Sequence, residues 1–218
     1  MVDDSLIQSR VDRGYAKAAS VLGPSYQQYR AAGANNPFAT PMGSLNVWAT
    51  TDAALRGNVP MTFGKPQCFA AVERDNLQVG DYLIGQLGTF FVTSVDYPSP
   101  VALIYCNRTI SIARALDALP QGASTQRFGT SIQTAQAFMS GWGASVLQLS
   151  SGSKMGSTGM NLPSDAKLPG IAILLPTTTP MIQFNDLVTD DLGQRYTLSS
   201  AELSTLGWRL TGELQPPG

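Results

Sequence analysis

Histidine is absent from all 218 residues. That excludes Ser-His-Asp triads, Cys/His zinc sites and imidazole-ligated haem, and it removes the commonest general base near neutral pH. Charge is scarce too: Asp, Glu, Lys and Arg make up 13 % of the chain and sum to −1. Such a chain has no electrostatic footprint for nucleic acid or for a basic membrane-surface module. Two cysteines, Cys68 and Cys106, cannot build a disulfide framework and lack metal-ligand spacing. Their plainer reading is a pair of buried reduced thiols, although sequence alone leaves their redox state open. The longest apolar run, IAILLP at 171–176, is too short to span a bilayer. The opening MVDDSLIQSR begins with acid and has no apolar h-region, so it does not read as a signal peptide, and a cytosol-like compartment is expected.

What is present is apolar material and punctuation. Hydrophobic residues make up 43 %, enough for a real core, with 21 Gly and 14 Pro to break it into short elements. One helix is legible: Ile7, Val11, Tyr15, Ala18 or Ala19, and Leu22 recur at helical spacing, Asp4 or Ser5 can cap the start, and Gly23-Pro24 stops it. Arg10, Arg13 and Lys17 share another face, either a solvated surface or a contact with phosphate or an acidic partner. Residues 25–44 have no sustained period and read as an extended arm, long enough to wrap the domain or lie on something else.

Alternating strand patterns follow at 45–50, 59–63, 69–72, 77–84, 89–95 and 101–114. Residues 115–143 read as a linker with a short helix near 131–139, and 150–160 is Gly/Ser-rich. Strands resume at 170–175, 181–184, 186–189, 194–199 and 208–214. The expected fold is mainly β: one or two small barrel or sandwich domains with an N-terminal helix and extended arm. The expected organisation is helix and arm at 1–44, a first β-domain at 45–114, a linker at 115–143 and a second β-domain at 144–218. Residues 1–44 are expected to serve assembly more than folding.

An internal repeat supports two domains. Residues 81–91 align without gaps on 186–196, matching Asp81/Asp186, Leu83/Val188, Leu87/Leu192, Gly88/Gly193 and Phe91/Tyr196. Each copy reads as a strand, a turn with a glycine at positive φ, and a strand carrying an aromatic. Structural duplication and two unrelated hairpins with the same turn chemistry both explain the match.

The search for chemistry returns little. Asp190-Asp191 is adjacent in a predicted turn; Ser153-Lys154 lies in the Gly/Ser stretch; Gly85-Gln-Leu-Gly88 lacks the lysine and helix of a phosphate loop; Asp3, Asp4 and Asp12 lack calcium-loop spacing. The acids are expected at strand ends and turns, in water. No catalytic, cofactor-binding or metal-binding residue is expected, and no cofactor. Of Trp48, Trp142 and Trp208, Trp142 between Gly141 and Gly143 reads either as an anchor for another chain or as a local lid.

VDRGYAKAASVLG (11–23), YxxYR (26–30), FGKP (63–66), VGDYLIGQLGTFFV (79–92), YCNRTISIAR (105–114) and DDLGQRYTLSSAELSTLGWRL (190–210) cover about half of the chain. In these segments it resembles a group of phage and prophage proteins of unassigned role, found among virion structural genes. The hairpin pattern of the last segment also looks like the small β-barrels of phage head–tail joining proteins. The resemblance implies a place in a virion and brings no catalytic residues; the expected protein is a non-enzymatic structural protein of a tailed-phage virion, assembled in the bacterial host cytoplasm. The reading is a ring-forming adaptor or connector of the head–tail or tail apparatus, with tail-fibre anchoring as a possible task. Its partners would be copies of itself in a ring and other virion proteins (portal or adaptor, nozzle, tail fibre), with no membrane and no nucleic acid. Two alternatives are a glycan-binding fibre or decoration protein stacking sugars on Trp142, Tyr26 and Tyr29, and a tail-associated polysaccharide hydrolase. Without histidine, the hydrolase would need two opposed carboxylates, for which Asp81 and Asp186 are the only nominees.

Overall fold

A computed structural model of the chain describes residues 4–50, 66–115, 135–149 and 170–215. The strand expected at 59–63, the start of the helix expected near 131, the Gly/Ser stretch with Ser153-Lys154, and Asp3 lie outside the described residues.

The helix forms where its period places it: α1 runs Asp4–Leu22. It packs on the first barrel through Ala19, which is buried, and ends where the Gly23 N–H donates to the Ala19 carbonyl. The rest of the described chain is β-structure in two closed barrels of six antiparallel strands each. The first comprises β1 (Ser25–Tyr29), β2 (Pro41–Thr50), β3 (Gln67–Val72), β4 (Tyr82–Gly85), β5 (Gly88–Ser94) and β6 (Val101–Cys106). The second comprises β7 (Arg108–Ala115), β8 (Ala135–Gln148), β9 (Gly170–Leu175), β10 (Leu187–Asp190), β11 (Arg195–Ser204) and β12 (Gly207–Leu214). The strands close in the order β1-β2-β3-β6-β5-β4 in one barrel and, read from β7, β7-β8-β9-β12-β11-β10 in the other. The two orders are the same topology, so the barrels form a structural repeat.

This redraws the expected organisation. β1 belongs to the first barrel and not to an arm, so residues 1–44 cannot be separated from the fold. β7 closes the second barrel although it falls within the expected first domain, and residues 135–143 of the expected linker are strand β8, which corrects the helix expected there over 135–139. The reason β1 escapes a hydropathy reading is its composition, SYQQY. Its inward positions are Tyr26 and Gln28, and the buried Gln28 amide is satisfied by a carboxylate and not by apolar neighbours. The corrected boundary is Asn107, the single residue between β6 and β7.

Both interiors are packed with side chains, as expected of barrels this narrow. Tyr26, Val47, Leu83, Phe90, Val92 and Leu103 fill the first; Ile110, Ile173, Val188, Tyr196, Leu198 and Leu210 help fill the second. Each such side chain contributes roughly 1.5–3 kcal/mol by leaving water. In β6 alternation breaks down: Val101 and Leu103 face inward, yet Ile104 and Cys106 on the outer face are buried as well. The outer face of β4, β5 and β6 is covered because the second barrel lies on it.

The repeated hairpins are real and differ by one residue. Gly85 pairs with Gly88 across a two-residue loop in the first. In the second, Thr189 pairs with Arg195, and the Gly193 N–H donates to the Asp190 carbonyl inside a longer loop. The ungapped match is therefore one position out beyond the turn. Tyr196 faces Val188 as Phe90, not Phe91, faces Leu83. Gly88 (φ 117°) and Gly193 (φ 77°) both have the left-handed backbone expected of them. A Cβ at Gly88 would stand 2.5 Å from the Tyr105 ring, whereas one at Gly193 meets open space. Gly193→Val is thus expected to cost about 1–2 kcal/mol from backbone strain alone, and Gly88→Val about 2–3 kcal/mol. Urea unfolding checks the order; equal costs would remove the role assigned to Tyr105.

Candidate functional site

At the start of β4 and of β10 the chain builds the same device. Tyr29 pairs with Tyr82 and Ala113 with Leu187, which sets Arg30 beside Asp81 and Arg114 beside Asp186. Arg30 grips Asp81 through Nε and Nη2, both at 2.7 Å; Arg114 grips Asp186 at 2.7 and 2.8 Å. The same Nη2 also donates to a carbonyl five residues before the aspartate, Asn76 in one barrel and Met181 in the other. Each aspartate further accepts a backbone N–H, from Gln78 at 2.9 Å and from Gln183 at 2.8 Å. Gly80 (φ 94°) and Asn185 (φ 69°) hold the third place of these turns, which requires positive φ. The hydrogen bonds to the carboxylates raise both guanidinium pKa values above the ordinary arginine range.

These clamps correct two expectations. Asp81 and Asp186 are each 1 % exposed, not in water, and Asp190 is buried too. Each of the first two is engaged by the arginine of its own barrel, which does not suit the free, opposed carboxylates that a hydrolytic pair needs. The signal was present in the sequence, in Leu77-Gln-Val-Gly-Asp81 and Ile182-Gln-Phe-Asn-Asp186, but it begins upstream of the repeat window. Leu77 and Ile182 are both buried, completing the match.

Asp190 and Asp191 diverge in role. Asp190 Oδ1 accepts the Leu192 and Gln194 N–H groups and Oδ2 accepts the Tyr196 hydroxyl at 3.2 Å. Burial, and then the Asp190 charge, push the Tyr196 hydroxyl up to about 12. Asp191 makes only a loose 3.9 Å pair with Arg108 at the surface, a contact of little energetic weight.

The junction between barrels is the other built feature. Trp142 is fully buried, and its Nε1 donates to the Ala34 carbonyl at 2.6 Å. Tyr82 packs edge-on to it and donates its hydroxyl to the Gly143 carbonyl at 2.7 Å. The segment after β1 straps across the second barrel: Ser140 N–H donates to the Ala34 carbonyl, and Asn36 N–H donates back to the Ser140 carbonyl. Asn107 grips Val146 with its side-chain amide, which donates to the carbonyl and accepts from the N–H, both at 2.8 Å. A cleft of about 150 Å³ opens beside it, lined by Phe38, Thr89, Cys106, Asn107, Arg108 and Asp191 among others. Trp142 therefore anchors its own chain, which corrects its reading as an interchain anchor or lid. Tyr26 is 1 % exposed and Tyr29 partly buried, so the three aromatics nominated for sugar stacking do not form an exposed platform.

Among the described residues no cluster of three or more metal-ligating side chains occurs, and no helix is long and apolar enough to cross a membrane. Cys68 and Cys106 are free and buried. Burial pushes the Cys68 thiol up to about 12 and the Cys106 thiol higher still. A thiol whose folded pKa is raised ionises first in the unfolded chain, near pH 8.5, so its stabilising contribution is complete below that pH and is lost as pH rises toward 12. Tyr196 adds to the same alkaline loss from about pH 10. Folded protein at pH 8 is expected to leave both thiols unreacted with a disulfide reagent, and denaturation points should fall steadily above about pH 9. Rapid labelling of native protein would contradict this.

No protein family, curated protein or solved structure compared with the chain gave a match.

Proposed function

We propose that the chain is a non-enzymatic structural protein of a tailed-phage virion, a ring-forming adaptor in the head–tail or tail apparatus. The observation that supports this reading best is the construction itself: two barrels of one topology, each with a filled interior, fixed to each other across a buried junction. Such a body offers geometry rather than turnover. Its two most deeply buried carboxylates, Asp81 and Asp186, are spent on internal clamps. Its exposed apolar side chains include Leu6, Ile7 and Val21 on α1, Leu87 and Leu192 at equivalent hairpin tips, and Met181 and Phe184 in the turn before β10. Exposed apolar groups placed this way suit contacts with neighbouring subunits.

The reading is tested by mass spectrometry of purified virions from a host strain carrying the gene, together with negative-stain images of the isolated chain. The protein should be found in the particle at a copy number matching a ring. Its absence from particles, or hydrolysis of cell-wall or capsule polysaccharide by the pure chain, would overturn the proposal.

A further inference from the structure

The repeat makes it possible to ask what each barrel covers that the other leaves bare. In the first barrel, the second covers the turn ahead of β4 at Gly80. Gly80 is buried, Thr178 donates its hydroxyl to the Gly80 carbonyl at 3.4 Å, and a Cβ on Gly80 would lie 2.5 Å from the Thr178 methyl. Among the described residues, nothing covers the equivalent turn of the second barrel. There Phe184 is 71 % exposed and Met181 66 %, with Asn185 exposed where the first barrel has the covered glycine. Two large apolar side chains thus flank Asn185, the position at which the repeat predicts a covering surface, where the first barrel has the exposed Asn76 and the half-buried Val79.

The faces beside the two turns also differ. Around the first lie Tyr82, Phe91, Ile104 and Cys106, all buried in the junction. Strand register puts Leu187, Thr197, Glu213 and Gln215 at the same positions of the second barrel. Apart from Leu187 that face is polar, with Gln215 Nε2 donating to Thr197 Oγ1 at 2.7 Å. An apolar centre with a polar surround is the anatomy of a reversible protein contact, not of a permanent core.

The repeat also says where such a turn docks. The second barrel receives the first through the loop between β9 and β10; its counterpart in the first barrel is the loop between β3 and β4, containing Glu73, Arg74 and Asp75. Arg74 there lies over the Tyr15 ring of α1 and beside Asp12. One to two helical turns further toward the N-terminus, α1 exposes Leu6 (59 %) and Ile7 (43 %). Apolar side chains are therefore available on both sides.

We infer that Met181 and Phe184 seat on the first barrel of a second copy of this chain, against the β3–β4 loop and the N-terminal turns of α1. The contact is head-to-tail, so it continues from copy to copy and closes where the rotation allows. It rests on the adaptor reading only in expecting copies to meet, and it adds which surfaces do so.

The test uses the full chain in sedimentation and mass photometry over a concentration series. Wild type should associate, and M181D–F184D should weaken association about 100-fold or more while leaving the thermal midpoint unchanged, because both side chains are exposed. L6D–I7D should do the same from the other side. Mixing the two variants should restore a single contact and stop at pairs, a result that an interface between like surfaces cannot give. A wild-type chain that stays monomeric at every concentration, or association unaffected by M181D–F184D, overturns the inference. Rings insensitive to M181D–F184D would sink this contact and leave the adaptor reading standing. Reversible association of a chain missing from virions would do the opposite.

Discussion

Replacing Arg114 with methionine is expected to destabilise the protein by about 3–5 kcal/mol, and Arg30→Met by about 2–4 kcal/mol. The order runs against side-chain exposure, since Arg114 is 35 % exposed and Arg30 28 %. It follows from what each carboxylate keeps when its arginine goes. Asp81 retains the Gln28 amide at 2.7 Å and the Gln78 N–H. The position equivalent to Gln28 in the second barrel is Ile112, so Asp186 is left with the Gln183 N–H. A charge stranded in the interior with fewer donors costs more than one with several. Adding Asp186→Asn to Arg114→Met should recover part of the loss, because a neutral amide replaces an uncompensated charge. Urea unfolding of the four proteins gives the answer; single-variant costs below about 1 kcal/mol would show that the clamps contribute little.

How much of this was legible depended on whether a residue carried its signal alone or through a distant partner. The helix and most apolar strands announce themselves by period, and the glycines of the hairpins by turn chemistry. β1 does not, because SYQQY becomes a strand only when Gln28 and Arg30 find Asp81, some fifty residues downstream. β8 fails for a related reason. Its sequence AQAFMSGWGASVLQ is interrupted by Gly141 at φ 76°, and its register against β7 shifts twice, so no two-residue period survives. The aspartates show the opposite case. The repeat singled out Asp81 and Asp186 correctly as equivalent, but sequence spacing could not reveal that each was already neutralised by an arginine outside the aligned window, Arg30 just past β1 and Arg114 in β7. The exposure of Met181 and Phe184 was equally hidden, since an apolar residue in a strand-like run reads as core until the turn before β10 is seen to stand clear of the barrel.

Trp142→Ala is expected to cost about 3–5 kcal/mol, whereas Trp142→Phe should cost about 1–2 kcal/mol. The larger figure follows from a side chain with no exposure, packed edge-on to Tyr82 and paired across strands with Ile110. The smaller isolates its hydrogen bond to the Ala34 carbonyl, which would be left without that donor. Trp208 supplies the contrast. It is also buried, at 4 % exposure, but its Nε1 has no hydrogen-bond partner among the described residues. Trp208→Phe therefore removes a donor that was never satisfied, and the gain from that offsets part of the lost packing, for a net change below about 1 kcal/mol. The two phenylalanine variants should separate clearly in urea unfolding. Trp142→Ala should also free the strap at 31–39, so that limited proteolysis cuts there and the barrels melt in two steps instead of one. Had Trp142 been an anchor for another chain, its loss would lower assembly and leave the isolated chain as stable as before. That outcome would mean that the buried junction does not hold the two barrels together.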